Sequence, residues 1–152
     1  MSRIWIYVSL MAAALLIPRE STDLGKLEPV DTVSVYKEEN KIVMETDTGA
    51  KGIGESVQAA LQNMIDTTAG IIYMDTADYL LVRRETEELI PELGKYLKES
   101  VRICRTQAAV KVEDAAAFLE VHTPKVKLGD WKRTEKLPLL RITEGRMYLE
   151  EN

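Results

Sequence analysis

The chain has 152 residues, with 20 Lys+Arg against 25 Asp+Glu and a formal charge of −5. That length suits one sizeable core, and the acidic balance lacks the basic stripe by which a general nucleic-acid binder neutralises phosphates. A hydrophobic share of 45% is globular rather than disordered, while a single Cys (Cys104) and a single His (His122) exclude an internal disulfide, a cysteine zinc centre and a poly-His metal site.

Ile4 to Ile17 is almost wholly apolar, with Arg3 before it and Pro18, Arg19 and Glu20 after it. A basic start, a short apolar run and small residues for cleavage (Ala12-Ala13-Ala14) make the secretory pattern. The run falls short of the roughly 17–25 residues that a spanning helix needs. Residues 1–23 are therefore expected to be a signal peptide or short membrane anchor plus linker. Residues 24–152 are expected to form one mixed α/β domain.

Val30 to Tyr36 is rich in β-branched residues and reads as a strand. Lys37-Glu38-Glu39-Asn40 is a polar turn, and Lys41 to Thr46 returns as a second strand. Asp47 to Gly54, with three glycines, reads as a loop. The period then changes: Val57, Ala60, Leu61, Met64 and Ile65 share one face of a helix, which Gly70 is expected to stop. Ile71 to Met74 and Tyr79 to Val82 read as strand, turn, strand. Thr86 with Glu87 and Glu88 is a helix-start signal, although Pro91 moves the regular helix towards itself. Val101 to Val112 is strand-like, and Glu113 to Val121 is a short Ala-rich helix. Lys125 to Lys136 is a charged connector carrying Trp131. Leu139 to Ile142 and Arg146 to Leu149 flank Thr143-Glu144-Gly145, a hairpin turn. The series predicts a mixed α/β (α+β) fold, with two or three helices packed mainly on one face of a mixed β-sheet and hairpins at both ends.

The sharpest local motif is Asp47-Thr48-Gly49, the loop by which aspartic proteases present a carboxylate. Two such carboxylates share one proton because like charges so close do not both ionise, so a chain of this length would dimerise to supply the second. Glu45 and Thr46 stand where that family packs apolar residues, and a helix follows within ten residues. Asp and Gly are also ordinary turn formers. Asp75-Thr76-Ala77 is a near-match lacking the glycine.

Gly49, Gly52 and Gly54 lead into a helix, the layout of an anion-binding loop, but no Gly-Lys-Ser/Thr follows and Glu55 occupies the first turn. Asp75 and Asp78 bracket a turn, too few oxygens for a calcium site. His122 reads as a helix-end residue. Alternation is taken to set Arg102 and Arg105 opposite Cys104, leaving an inert thiol. Tyr73, Tyr79, Phe118 and Trp131 read as core or interface. These readings assign no catalytic residue, no cofactor and no metal.

An ordered series, Gly52-Ile53-Gly54-Glu55-Ser56, Ala60-Leu61, Ile72-Tyr73, Tyr79-Leu80-Leu81-Val82 and Glu87-Glu88-Leu89, resembles the N-terminal domain of the Ger(x)C spore-germination proteins, the C subunits of germinant receptors. Tyr96-Leu97, Val101-Arg102-Ile103, Val110 and Ala115-Phe118-Leu119 continue that order, from roughly Leu27 to Leu119. The family's lipid-attachment Cys and large C-terminal domain have no counterpart here. The resemblance implies a non-catalytic binding or assembly module, exported or membrane-tethered on the extracytoplasmic side of a bacterial spore membrane. Its implied partners are proteins, such as the membrane subunits of a germination receptor.

Overall fold

The computed structural model describes residues 27–132 and 136–151; the expected export segment, residues 1–23, lies outside the described residues. β2 (Thr32–Glu38) and β3 (Lys41–Thr46) form the predicted hairpin, turning at Glu39 and Asn40 with φ of 49° and 66°. That pair of left-handed residues is the tight turn whose twist matches its strands.

The expected loop after β3 is half strand: β4 (Lys51–Gly54) runs back along β3. α1 (Val57–Thr67) then begins at Ser56, whose Oγ accepts the Ala59 N–H at 3.1 Å. Its buried stripe is Val57, Ala60 and Met64. Ile65 falls outside it and is 48% exposed, because a helix resting on a bare glycine strand touches it along a narrow line.

Gly70 is not the stop. α1 ends at Thr67, and the Thr68 hydroxyl and N–H both donate to the Met64 carbonyl, at 2.7 and 3.1 Å. Gly70 instead makes room for the Glu28 carboxylate, which a Cβ there would meet. That close approach brings in a strand the sequence pattern did not reveal. β1 (Leu27–Pro29) pairs in parallel with β5 (Ile71–Tyr73) as a separate two-stranded sheet. β6 (Tyr79–Arg83), expected beside β5, joins β2 in the main sheet. Between them the Thr76 hydroxyl accepts the Val30 N–H at 2.9 Å and lies 2.8 Å from the Tyr73 carbonyl, holding the two sheets together.

A 3-10 turn over Arg84–Leu89 leads into the short α2 (Ile90–Leu93), with Pro91 in the first turn, where no donor is needed. β7 (Arg102–Thr106) is shorter than the expected run. α3 (Val112–Val121) follows, and β8 (Leu139–Thr143) and β9 (Arg146–Glu150) close as the predicted second hairpin.

The main sheet has seven strands in the order β4-β3-β2-β6-β7-β8-β9. β2, β6, β7 and β8 are parallel, with antiparallel strands on both flanks. Because side chains alternate faces, Val33, Val35, Leu80, Val82 and Ile103 line one side and meet Ala60, Met64, Ile90 and Leu93. Tyr79, Leu81, Cys104 and Leu140 line the other and meet Ala115 and Leu119 of α3. Two helices thus cover one face and the third covers the opposite one, an α+β fold with a strand-rich mixed sheet. Leu80 and Leu81 are both fully buried, which is why that strand reads as a continuous apolar run.

Candidate functional site

Asp47, Thr48 and Gly49 form the turn between β3 and β4. The Gly49 N–H donates to the Thr46 carbonyl at 3.0 Å, and the Thr46 N–H donates to the Ala50 carbonyl at 2.9 Å. The Thr46 and Thr48 hydroxyls lie 2.8 Å apart. The Asp47 carboxylate is turned towards the start of β2, where one oxygen accepts the N–H groups of both Asp31 and Thr32 at 3.0 Å. It works as a backbone clamp in a charge-assisted pair of hydrogen bonds. Asp31 lies near enough for Asp47 to help raise its carboxyl above the ordinary range, burial being the larger cause and Asp78 and Glu120 adding to it.

The glycine stretch is a packing surface rather than an anion cradle. A Cβ on Gly52 would overlap the Ala60 carbonyl oxygen, and one on Gly54 would overlap the Ala60 backbone nitrogen. The glycines let α1 lie directly on β4. The strand's outward backbone groups are then met by the helix: the Ile53 N–H donates to Asn63 Oδ1 at 2.9 Å, and the Thr67 hydroxyl reaches the Lys51 carbonyl at 3.5 Å.

A cleft of about 640 Å³ opens between the Asp47 turn and the start of α3, with Glu45, Thr46 and Lys51 on one wall and Val110, Lys111 and Asp114 on the other. Behind Glu45 and Lys51 lies a polar cluster assembled from four strands. Lys51 Nζ is 2.9 Å from Glu45 Oε1, the Tyr36 hydroxyl donates to the same oxygen at 3.0 Å, and Lys51 also reaches the Tyr36 hydroxyl at 3.3 Å. The Arg83 guanidinium lies 4.3 Å from the Tyr36 ring centroid, within cation–π range. Hydrogen bonds to Glu45, then to Tyr36, push the Lys51 ammonium upward, and burial raises the Tyr36 phenol. Such a lysine keeps its proton at neutral pH and is no nucleophile there. The cluster suits binding through charge and hydrogen bonds. Sequence reasoning missed it because its members meet only through strand register; the usable signal was period-2 alternation, which places Tyr36 and Glu45 on one face once β2 and β3 are paired.

Most of the remaining candidates have structural partners. Asp78 pairs with Lys98 at 3.3 Å, and no acidic or His/Cys group able to hold a metal occurs among the described residues. His122 ends α3, its N–H donating to the Phe118 carbonyl at 2.9 Å and its ring stacked on Phe118 at 4.4 Å. Cys104 is buried, and burial pushes its thiol up. The expected placement of its neighbours needs correcting: Arg102, two residues away, shares the Cys104 face, because faces repeat every second residue. Arg102 is drawn off to the Pro124 carbonyl at 2.8 Å, whereas Arg105, on the opposite face, pairs with Glu87 at 3.2 Å. Trp131 packs against the core beside Leu128, with its indole N–H buried and unpartnered among the described residues, and Tyr73 is exposed. Among the described residues no helix is long and apolar enough to cross a membrane. No family model, curated protein or solved structure matches the chain.

Proposed function

We propose that the chain is a non-catalytic binding or assembly module, exported or held at a membrane by its N-terminal segment and similar in role to a component of a spore germination receptor. One observation carries the reading: an apolar run behind Arg3 precedes a domain in which the most enzyme-like carboxylate, Asp47, is committed to two backbone N–H groups at 3.0 Å. The glycine pair beneath α1 and the buried Cys104 support it, since both serve packing.

The test is fractionation of the native host. The full chain is expected with the membrane or exported fraction, and a variant lacking residues 1–23 in the cytosol. A full chain found in the cytosol would end the reading. Co-purification with membrane subunits encoded beside it would tie the module to a receptor; a cytosolic enzyme operon around it would argue the other way.

A further inference from the structure

The two outer edges of the main sheet are treated differently. At β4, Asn63 of α1 takes up the outward N–H of Ile53, and Thr67, whose hydroxyl donates to the Asn63 carbonyl at 2.7 Å, covers the outward carbonyl of Lys51 from 3.5 Å. That is how a sheet edge is closed to other strands. At β9 nothing among the described residues pairs with the outer side. The turn at Glu144 and Gly145 (φ 51° and 74°) makes Thr143 and Arg146 the hydrogen-bonded pair that closes the hairpin. Alternation then directs the N–H and C=O of Met147 and Leu149 outward.

The strand reads Arg146-Met147-Tyr148-Leu149-Glu150, which is complementary to its own reverse. We infer that β9 pairs antiparallel with β9 of a second copy, centred on Tyr148, to give a two-fold dimer with one continuous sheet. In that register Met147 faces Leu149 of the partner, and both offer their outward backbone groups, so four ladder hydrogen bonds form around the axis. Arg146 of each copy faces Glu150 of the other, and opposite charges directly across an antiparallel pair stabilise it. A parallel arrangement would set like charges together, so the charges choose the orientation.

Arg146 makes no ion pair among the described residues, whereas Glu150 already accepts Arg141 at 3.1 Å and has a second oxygen to offer. On one face the half-buried Met147 and Leu149, with Ile142 at 37% exposure, would join their counterparts in an apolar band. On the other, Tyr148, 48% exposed, would meet its own copy. The sealing of β4 prevents head-to-tail growth, so the assembly closes at two.

The test is disulfide trapping of the full chain in mild detergent. Cys104 is fully buried and leaves an introduced thiol as the reactive one. Tyr148→Cys puts two thiols across a non-hydrogen-bonded pair at the axis, where Cα atoms approach within disulfide range. It is expected to cross-link at least about tenfold faster than Thr143→Cys, an exposed site one strand away. Adding Arg146→Glu to Tyr148→Cys is expected to cut the rate about tenfold, and adding Glu150→Arg as well to restore it. Absence of cross-linking at 148, equal rates at 143 and 148, or a rate indifferent to the charge reversals would overturn the proposal. The first comparison uses native charges throughout, so it decides the matter even if a charge variant folds poorly.

Discussion

Asp47 accepts the N–H of Thr32 at 3.0 Å across 15 residues of chain, and so ties the β3–β4 turn to the first residue of β2. The same oxygen takes the Asp31 N–H. This clamp sits where the parallel part of the sheet begins, because Thr32 pairs with Tyr79 of β6.

Removing the clamp should be costly in proportion to the acceptor lost. Asp47→Ala leaves two N–H groups at a strand start without their partner and is expected to lower unfolding free energy by about 2 kcal/mol. Asp47→Asn keeps an acceptor oxygen and is expected to lose less than half of that. Urea titration followed by circular dichroism measures both; equal losses would mean that the carboxylate charge, not its acceptor geometry, is what matters.

Gly52→Ala and Gly54→Ala each drive a methyl into the backbone of α1 at Ala60. Each is expected to cost about 2–3 kcal/mol, the upper part of the range for overpacking, because the backbone has no room to move. Gly49→Ala meets open space but holds a left-handed φ of 85°, so about 1 kcal/mol is expected there. The order of the three, read by urea titration, separates close packing from turn strain. Added phosphate is expected to leave the thermal midpoint unchanged, since the two later glycines are covered by a helix.

Stability should carry a signature of Asp31. Its carboxyl is raised by burial and by Asp47, Asp78 and Glu120 from an ordinary value of 3.8. A carboxyl with a higher pKa folded than unfolded gives stability that is present below the unfolded value and lost as pH rises through the folded one. Asp31→Asn is therefore expected to raise the thermal midpoint at neutral pH, with the gain fading as the pH falls through the raised folded value and gone below 3.8. The gain should be small because the side chain is exposed and screened. A thermal-melt series across acidic pH checks both the sign and the window.

Cys104 should be silent in the native state. It is fully buried between β6 and α3 residues, and burial disfavours its thiolate. Ellman's reagent at neutral pH is expected to label the chain in concentrated urea and to leave the folded chain unlabelled over the same interval. Rapid labelling without denaturant would show that α3 opens readily from the sheet.

The sequence by itself determined the local elements, since their signals act over a few residues. β-Branched and apolar runs with turn chemistry marked β2, β3, β8 and β9, the 3.6-residue period marked α1, and alanine richness marked α3. Tertiary structure decided what those signals do not contain. β1 is a three-residue strand, too short for a period, and β5, although readable as a short apolar run, finds its partner in β1 across the chain rather than in β6. The glycines of β4 had the layout of a ligand loop because the helix was legible in the sequence but its seat on β4 was not. Tyr36, Glu45, Lys51 and Arg83 come together only through register between strands. The opening length and charge limited the chemistry, but the use of each polar group was settled by its neighbours in space. A carboxylate's role depends on which donors reach it, and for Asp47 those donors lie in a different strand.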